Sequence, residues 1–151
     1  MKVLVCGRER FTNRKAIHFA LDKTDYERGS FTEVAQFGSG SNGGPDAQVR
    51  MWVWERWPLK TLSGPWKQHL PALKTHHHDY DRFGPGAHHK TYERVLKDDP
   101  PDLVIVLGPE QGTHRPFVRA ARARGIEIVE FAFEHHLAYE AERAVPAGDG
   151  S

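Results

Sequence analysis

A single cysteine, Cys6, stands among 151 residues. No intramolecular disulfide is open to it, which favours a reducing, cytoplasmic setting. Excess charge is missing too: 21 Lys+Arg face 20 Asp+Glu, a formal net charge of +1. That balance argues against a general nucleic-acid or membrane-surface binder, which carries a strong basic excess. The longest apolar run at the N-terminus, Val3-Leu4-Val5-Cys6, is too short for a signal peptide or a membrane span. What is there is a 38% hydrophobic and 27% charged chain, the profile of one globular domain with a core of its own. Histidine is the one abundance: ten in all, six of them between positions 69 and 89.

Apolar runs and helical spacings alternate along the chain. Residues 2–6 read as a buried strand stopped by Gly7. Thr12 or Asn13 offers a helix N-cap, Ala16, Ile17, Ala20 and Leu21 follow at helical spacing, and Gly29 supplies a stop. A strand over 31–37 runs into the glycine-rich stretch 38–45, and a helix starts at Pro45 or Asp46 and continues to about Trp57. A short third strand is expected at 59–62, with 63–87 irregular. A helix over 88–97 carries Tyr92, Val95 and Leu96 on one side. Residues 103–107 are apolar at every position, as in a strand covered on both faces. Thr113 caps a helix that Gly125 closes, a last strand spans 126–131, and 134–144 forms a further helix before a disordered tail at 146–151. The domain is expected over 1–133, with the last helix and tail appended as 134–151.

Strands alternating with helices imply an α/β fold, a mainly parallel sheet of about five strands with helices on both faces. Ligands in such folds sit outside the carboxyl ends of the strands. Three loops leave strand ends there, at 7–11, 38–45 and 108–112. Each contains glycine and leads into a helix N-terminus, where exposed N–H groups and the helix dipole favour an anion.

Five fragments in order carry a resemblance. They are Cys6-Gly7-Arg8-Glu9-Arg10-Phe11, Gly44-Pro45-Asp46, Tyr80-Asp81-Arg82-Phe83-Gly84, Pro101-Asp102-Leu103-Val104 and Pro109-Glu110-Gln111-Gly112-Thr113. Together they resemble the YspA-like branch of the SLOG superfamily, over about residues 1–131. The resemblance implies a Rossmann-like three-layer sandwich that binds a nucleotide or nucleotide-derived ligand, its phosphate on the glycine turns, as a sensor or sequestering protein. Some relatives, the LOG enzymes, cleave the N-glycosidic bond of a nucleoside monophosphate, and others, such as DprA, bind single-stranded DNA. Active LOG enzymes carry a glutamate shortly after the turn threonine. Here Arg115 and Pro116 follow, and the next acid downstream is Glu127. Binding without catalysis is therefore the leading reading. The alternatives are a hydrolase using another acid, for which Glu110 is the candidate, and a protein or DNA interaction module that keeps only the fold.

The ligand-binding candidates follow from these loops and fragments. Gly7, Gly40, Gly43, Gly44, Gly108 and Gly112 either cradle phosphate or serve only their turns. Thr113 bonds phosphate, caps its own helix, or both, with Gln111 beside it. Arg8, Arg10, Arg82, Lys90 and Arg115 are candidate phosphate cations, and Arg115 sits in a first helical turn where the dipole disfavours a cation unless an anion joins it. Asp46 meets a ribose hydroxyl or stabilises a helix start. His88 and His89 line the ligand site or lie in solvent. No metal is expected, because the histidine tracts lack the spacings that direct several ligands to one ion. Cys6 reads as a small buried hydrophobe rather than a nucleophile. The helix with Trp52 and Trp54 is too apolar to be half exposed, so a homo-oligomer contact through it is expected.

Overall fold

The computed structural model describes residues 1–8, 10–38, 45–55, 71–108, 114–132 and 134–144. Of the candidate site residues, Gly40, Gly43, Gly44, Glu110, Gln111, Gly112 and Thr113 lie outside the described residues, as do the expected strand at 59–62 and the tail at 146–151.

The strands are β1 (Lys2–Gly7), β2 (Glu33–Gly38), β3 (Ala72–His77), β4 (Leu103–Leu107) and β5 (Glu127–Phe131). They pair in parallel in the order β3-β2-β1-β4-β5. The described helices are α1 (Arg14–Arg28), α2 (Asp46–Trp54), α3 (Tyr80–Phe83), α4 (Ala87–Asp98), α5 (Arg115–Ala123) and α6 (Glu134–Ala144). A 3-10 turn at Gly84–Gly86 joins α3 to α4. The result is an α/β, Rossmann-like three-layer sandwich. Among the described residues no helix is long and apolar enough to cross a membrane.

Strand alternation divides the core into two. Val3, Val5, Leu103, Ile105 and Leu107 face α1, α2 and α6, packing on Ile17, Leu21, Trp52 and Leu137. Leu4, Cys6, Ala35, Phe37, Val104 and Val106 face α4 and α5, packing on Tyr92, Val95, Phe117 and Ala121. β1 and β4 are central and buried on both faces, which explains their unbroken apolar sequence. Asn13 caps α1, its side chain accepting from Ala16 N at 3.0 Å. α6 packs along α1, with Leu137 in the shared core and Lys15 paired to Glu142 at 3.3 Å.

One expectation fails clearly. The stretch 63–87 was expected to be irregular, yet it contains both β3 and α3. β3 reads Ala-Leu-Lys-Thr-His-His and has no apolar run, because it is an edge strand with mostly exposed or half-exposed residues. Register with β2 defines it instead, from Glu33↔Ala72 to Gly38↔His77. Polar character of this kind is how exposed edges avoid further pairing.

The tryptophans of α2 separate. Trp52 is 1% exposed, its ring 5.6 Å from that of Phe31, and its Nε1–H donates to Asp22 Oδ1 at 2.9 Å. Trp54 is 52% exposed. Trp52 is thus a core residue and cannot form a subunit contact; on α2 only Trp54 and the neighbouring Met51 present apolar surface outward. Trp52→Ala is expected to cost about 3–5 kcal/mol in urea unfolding, through the cavity left in the core. Trp54→Ala is expected to stay within about 0.5 kcal/mol of the parent.

Candidate functional site

The chain runs from β1 outward to β2 and β3, then crosses back to β4 on the other side of β1. The carboxyl ends of β1 and β4 therefore flank a topological switch point, where the two halves of the sheet diverge and leave a crevice. Gly7 and Gly108 stand at this point. A Cβ on Gly7 would lie 2.4 Å from the Leu107 carbonyl oxygen, so only glycine fits beside β4. Arg8 N donates to that same oxygen at 2.8 Å. Gly108 has φ +75° and donates its N–H to Phe131 O at 2.9 Å. Both glycines are thus accounted for by strand and turn geometry.

The turn brings Arg8 over Gly108. Arg8 and Arg10 join Phe11, Gly108, Ala132, Glu134 and His135 around a cleft of about 330 Å³. Among the described residues no carboxylate pairs with either arginine. Glu134 is engaged elsewhere: one carboxylate oxygen accepts from Thr12 N at 2.8 Å and from Asn13 N. The anion expected at the start of α1 is therefore supplied by the chain itself, from the first residue of α6. This leaves the two arginines as the cationic wall of the cleft.

On the opposite face of the sheet edge lies a cluster of rings. Phe37 at the end of β2 contacts His78, Tyr92, His114 and Phe117, with centroids at 5.8, 5.0, 5.0 and 5.0 Å. His78 stacks on His88 at 4.0 Å with 10° between planes. Its Nδ1 lies 2.8 Å from Thr91 Oγ1, while its Nε2 is buried and unpartnered. Tyr92 Oη lies 2.9 Å from His114 Nδ1 and 3.3 Å from His88 Nδ1. His88 Nε2 lies 2.5 Å from Tyr80 Oη. Burial holds both His78 and His114 down to about 4, reinforced for His78 by His88, Arg94 and His77 and for His114 by His78 and His88, so both are neutral near pH 7. Burial raises Tyr92 above the usual phenol range. Parallel stacked rings aim their nitrogens in parallel planes, not at one point. Among the described residues no group of three or more His, Cys, Asp and Glu is placed to hold a metal ion.

Cys6 lies beneath this edge. Burial, then the charge of Asp46, pushes its thiol up to about 12, which leaves it un-ionised and inert. Asp46 begins α2 within electrostatic reach of Cys6.

The sequence candidates are dispersed. Arg8 and Gly108 come together at the switch point, with Gly7 immediately behind them. His88 enters the ring cluster, but His89 points away and pairs with Glu93 at 2.8 Å on the exposed face of α4. Arg82 and Lys90 flank the exposed ring of Phe83, at 5.1 and 5.9 Å from its centroid. Arg115 is exposed at the first position of α5. Phe37, His78, Tyr80, Tyr92 and His114 were not among the candidates. Two signals pointed to them: His76 and His78 are two apart, so a strand exit buries both and exposes His77; and His88 and Tyr92 are four apart on one helix face.

The neutral buried histidines carry a pH dependence. Unfolded, they titrate near 6.5; folded, near 4. The unfolded chain therefore binds more protons in that window, so stability is complete above about pH 6.5 and falls as pH drops toward 4. Each of the two contributes a slope of up to about 1.4 kcal/mol per pH unit there. His76, also lowered by burial, acts in the same direction. Asp99, held near 2 by hydrogen bonds from Lys2 and Lys74, loses its contribution only between 3.8 and 2, below the histidine window. Urea midpoints measured across both windows are expected to fall in these two stages, and His114→Gln to flatten the upper one.

No protein-family model matches this chain, and no curated protein or solved structure matches it.

Proposed function

We propose that this protein binds a phosphate-bearing, nucleotide-type ligand at the switch point between β1 and β4, as a sensor or sequestering protein. The observation that carries this reading is the cleft at the carboxyl end of a parallel sheet that Arg8 and Arg10 both line, its one carboxylate among the described residues, Glu134, being hydrogen-bonded to the start of α1 rather than to either arginine. Arginine forks suit phosphate oxygens, and a protein that orients two of them at a switch point is built to receive an anion. The resemblance to the SLOG superfamily supports the same reading, since its first fragment is the turn that carries Arg8 and Arg10 and its last joins β4 to α5. A single cysteine, with no second one for an intramolecular disulfide, suits a reducing, cytoplasmic setting. Self-association through α2 would use the exposed Trp54.

A thermal-shift screen across linear and cyclic nucleotides tests this, with inorganic phosphate and unphosphorylated nucleosides as controls. A ligand at a hundredfold excess over its Kd is expected to stabilise the fold by about 2.7 kcal/mol. Arg8→Ala and Arg10→Ala are each expected to weaken binding about tenfold or more, the loss of one charge-assisted contact. Gly112→Asp, which adds a carboxylate to the segment joining β4 to α5, is expected to repel the phosphate while the fold persists. A screen in which no nucleotide raises the melting temperature, or arginine variants that bind as the parent does, would refute the reading.

A further inference from the structure

The last described helix, α6, begins with a carboxylate in the cleft of Arg8 and Arg10. Glu134 lines that cleft, yet it turns to the start of α1 instead of to either arginine. One of its oxygens accepts from Thr12 N at 2.8 Å and from Asn13 N. Asn13 is the N-cap of α1, and its own side chain is used on Ala16 N at 3.0 Å. The N–H groups of Thr12 and Asn13 therefore fall to Glu134, which caps a helix other than its own. The positive end of the α1 dipole adds to the hold on a negative group there.

The contacts that keep α6 in place are few. Its buried apolar anchor is Leu137, with Ala138 partly buried beside it. Its polar ties among the described residues are the bonds of Glu134 and the pair of Lys15 with Glu142 at 3.3 Å, and both reach α1. His135, His136 and Tyr139 are exposed.

We propose that Glu134 gates the cleft: its carboxylate serves as the cleft's own anion until a phosphate-bearing ligand displaces it, and displacement frees the start of α6 from α1. The gate rests on the ligand reading above and gives it a regulatory output, a helix released by binding.

Charge sets the direction of the coupling. A phosphate gripped by the two guanidinium groups in a cleft of about 330 Å³ lies within about 10 Å of the carboxylate, the screening length at 0.1 M salt. Like charges at that range repel, so the bound phosphate and the seated Glu134 oppose each other. The phosphate makes more contacts than the carboxylate it replaces. It meets Arg8 and Arg10, with which Glu134 does not pair, and its oxygens can also accept from Thr12 N and Asn13 N. A displaced Glu134 turns to solvent, where a carboxylate is well hydrated. The coupling is reciprocal: the factor by which the ligand weakens the Glu134 latch is the factor by which a lost latch tightens ligand binding.

Inorganic pyrophosphate, titrated by calorimetry, tests the gate. Glu134→Gln keeps the side-chain length and an oxygen that can accept from Thr12 N, but removes the charge. It is expected to bind pyrophosphate at least about fivefold more tightly than the parent. Glu140→Gln removes the same charge from the same helix outside the cleft, and is expected to bind as the parent does. Amide hydrogen exchange supplies a second readout. Pyrophosphate is expected to speed exchange over residues 134–144 of the parent while slowing it in β1 and β4. Glu134→Gln binding no more tightly than the parent, an equal gain in Glu140→Gln, or an α6 that pyrophosphate protects overturns the gate. So does pyrophosphate that binds neither the parent nor Glu134→Gln. A gain confined to Glu134→Gln, with no nucleotide stabilising parent or variant, upholds the gate and sinks the nucleotide reading. Nucleotides that stabilise the parent and Glu134→Gln alike uphold that reading and sink the gate.

Discussion

The close approach of β4 to the end of β1 sets the geometry of the edge where the carboxyl ends of the two strands lie. The Leu107 carbonyl lies where a Cβ of residue 7 would be and accepts from Arg8 N at 2.8 Å. Gly7 is required for that approach, and the approach lifts the following turn over Gly108, carrying the Arg8 side chain with it. A larger residue at position 7 would part the two central strands. The cores on both faces depend on those strands, since Val3, Val5, Ile105 and Leu107 fill one and Leu4, Cys6, Val104 and Val106 fill the other. The same contact thus secures the sheet and aims a cation at the switch point.

The two faces of that edge differ in chemistry. Toward α1 and α6 stand Arg8 and Arg10, with the Glu134 carboxylate committed to the start of α1. Toward α4 and α5 lies a cluster of imidazoles and phenols in which burial keeps His78 and His114 neutral and opposes ionisation of Tyr92. Cys6 and Gly7, adjacent on β1, stand at the boundary between them, and the un-ionised thiol of Cys6 places no negative charge beneath the cluster. Asp99, tied to Lys2 and Lys74 at the far end of the sheet, keeps its strongest ion pairs away from this edge.

Much of the architecture was legible from apolar pattern. β1 and β4 are central, so both their faces are buried and their sequences are apolar throughout. α6 was legible to the residue, and α1 was marked by Asn13 and Gly29. β3 escaped because an edge strand has no need of apolar residues, and its only specification is a register with β2 that no local pattern records. The sequence marked the helix of Trp52 and Trp54 as too apolar to be half exposed, but which tryptophan is buried depended on Phe31 and Asp22, far away in sequence.

By itself, then, the order of residues determined the strand and helix alternation, the parallel sheet and the glycine at the end of its first strand, because these follow from local burial and backbone sterics. It also placed Arg8 on a loop at the carboxyl end of the first strand. Tertiary structure alone decided that Glu134 would supply the anion at α1, that His89 would turn to solvent while His88 turned inward, and that Phe37, His78, Tyr92 and His114 would meet. Those four residues come from β2, the exit of β3, α4 and the start of α5. Their meeting is a property of the sheet order, which brings chain segments together by pairing across the fold rather than by any spacing along it.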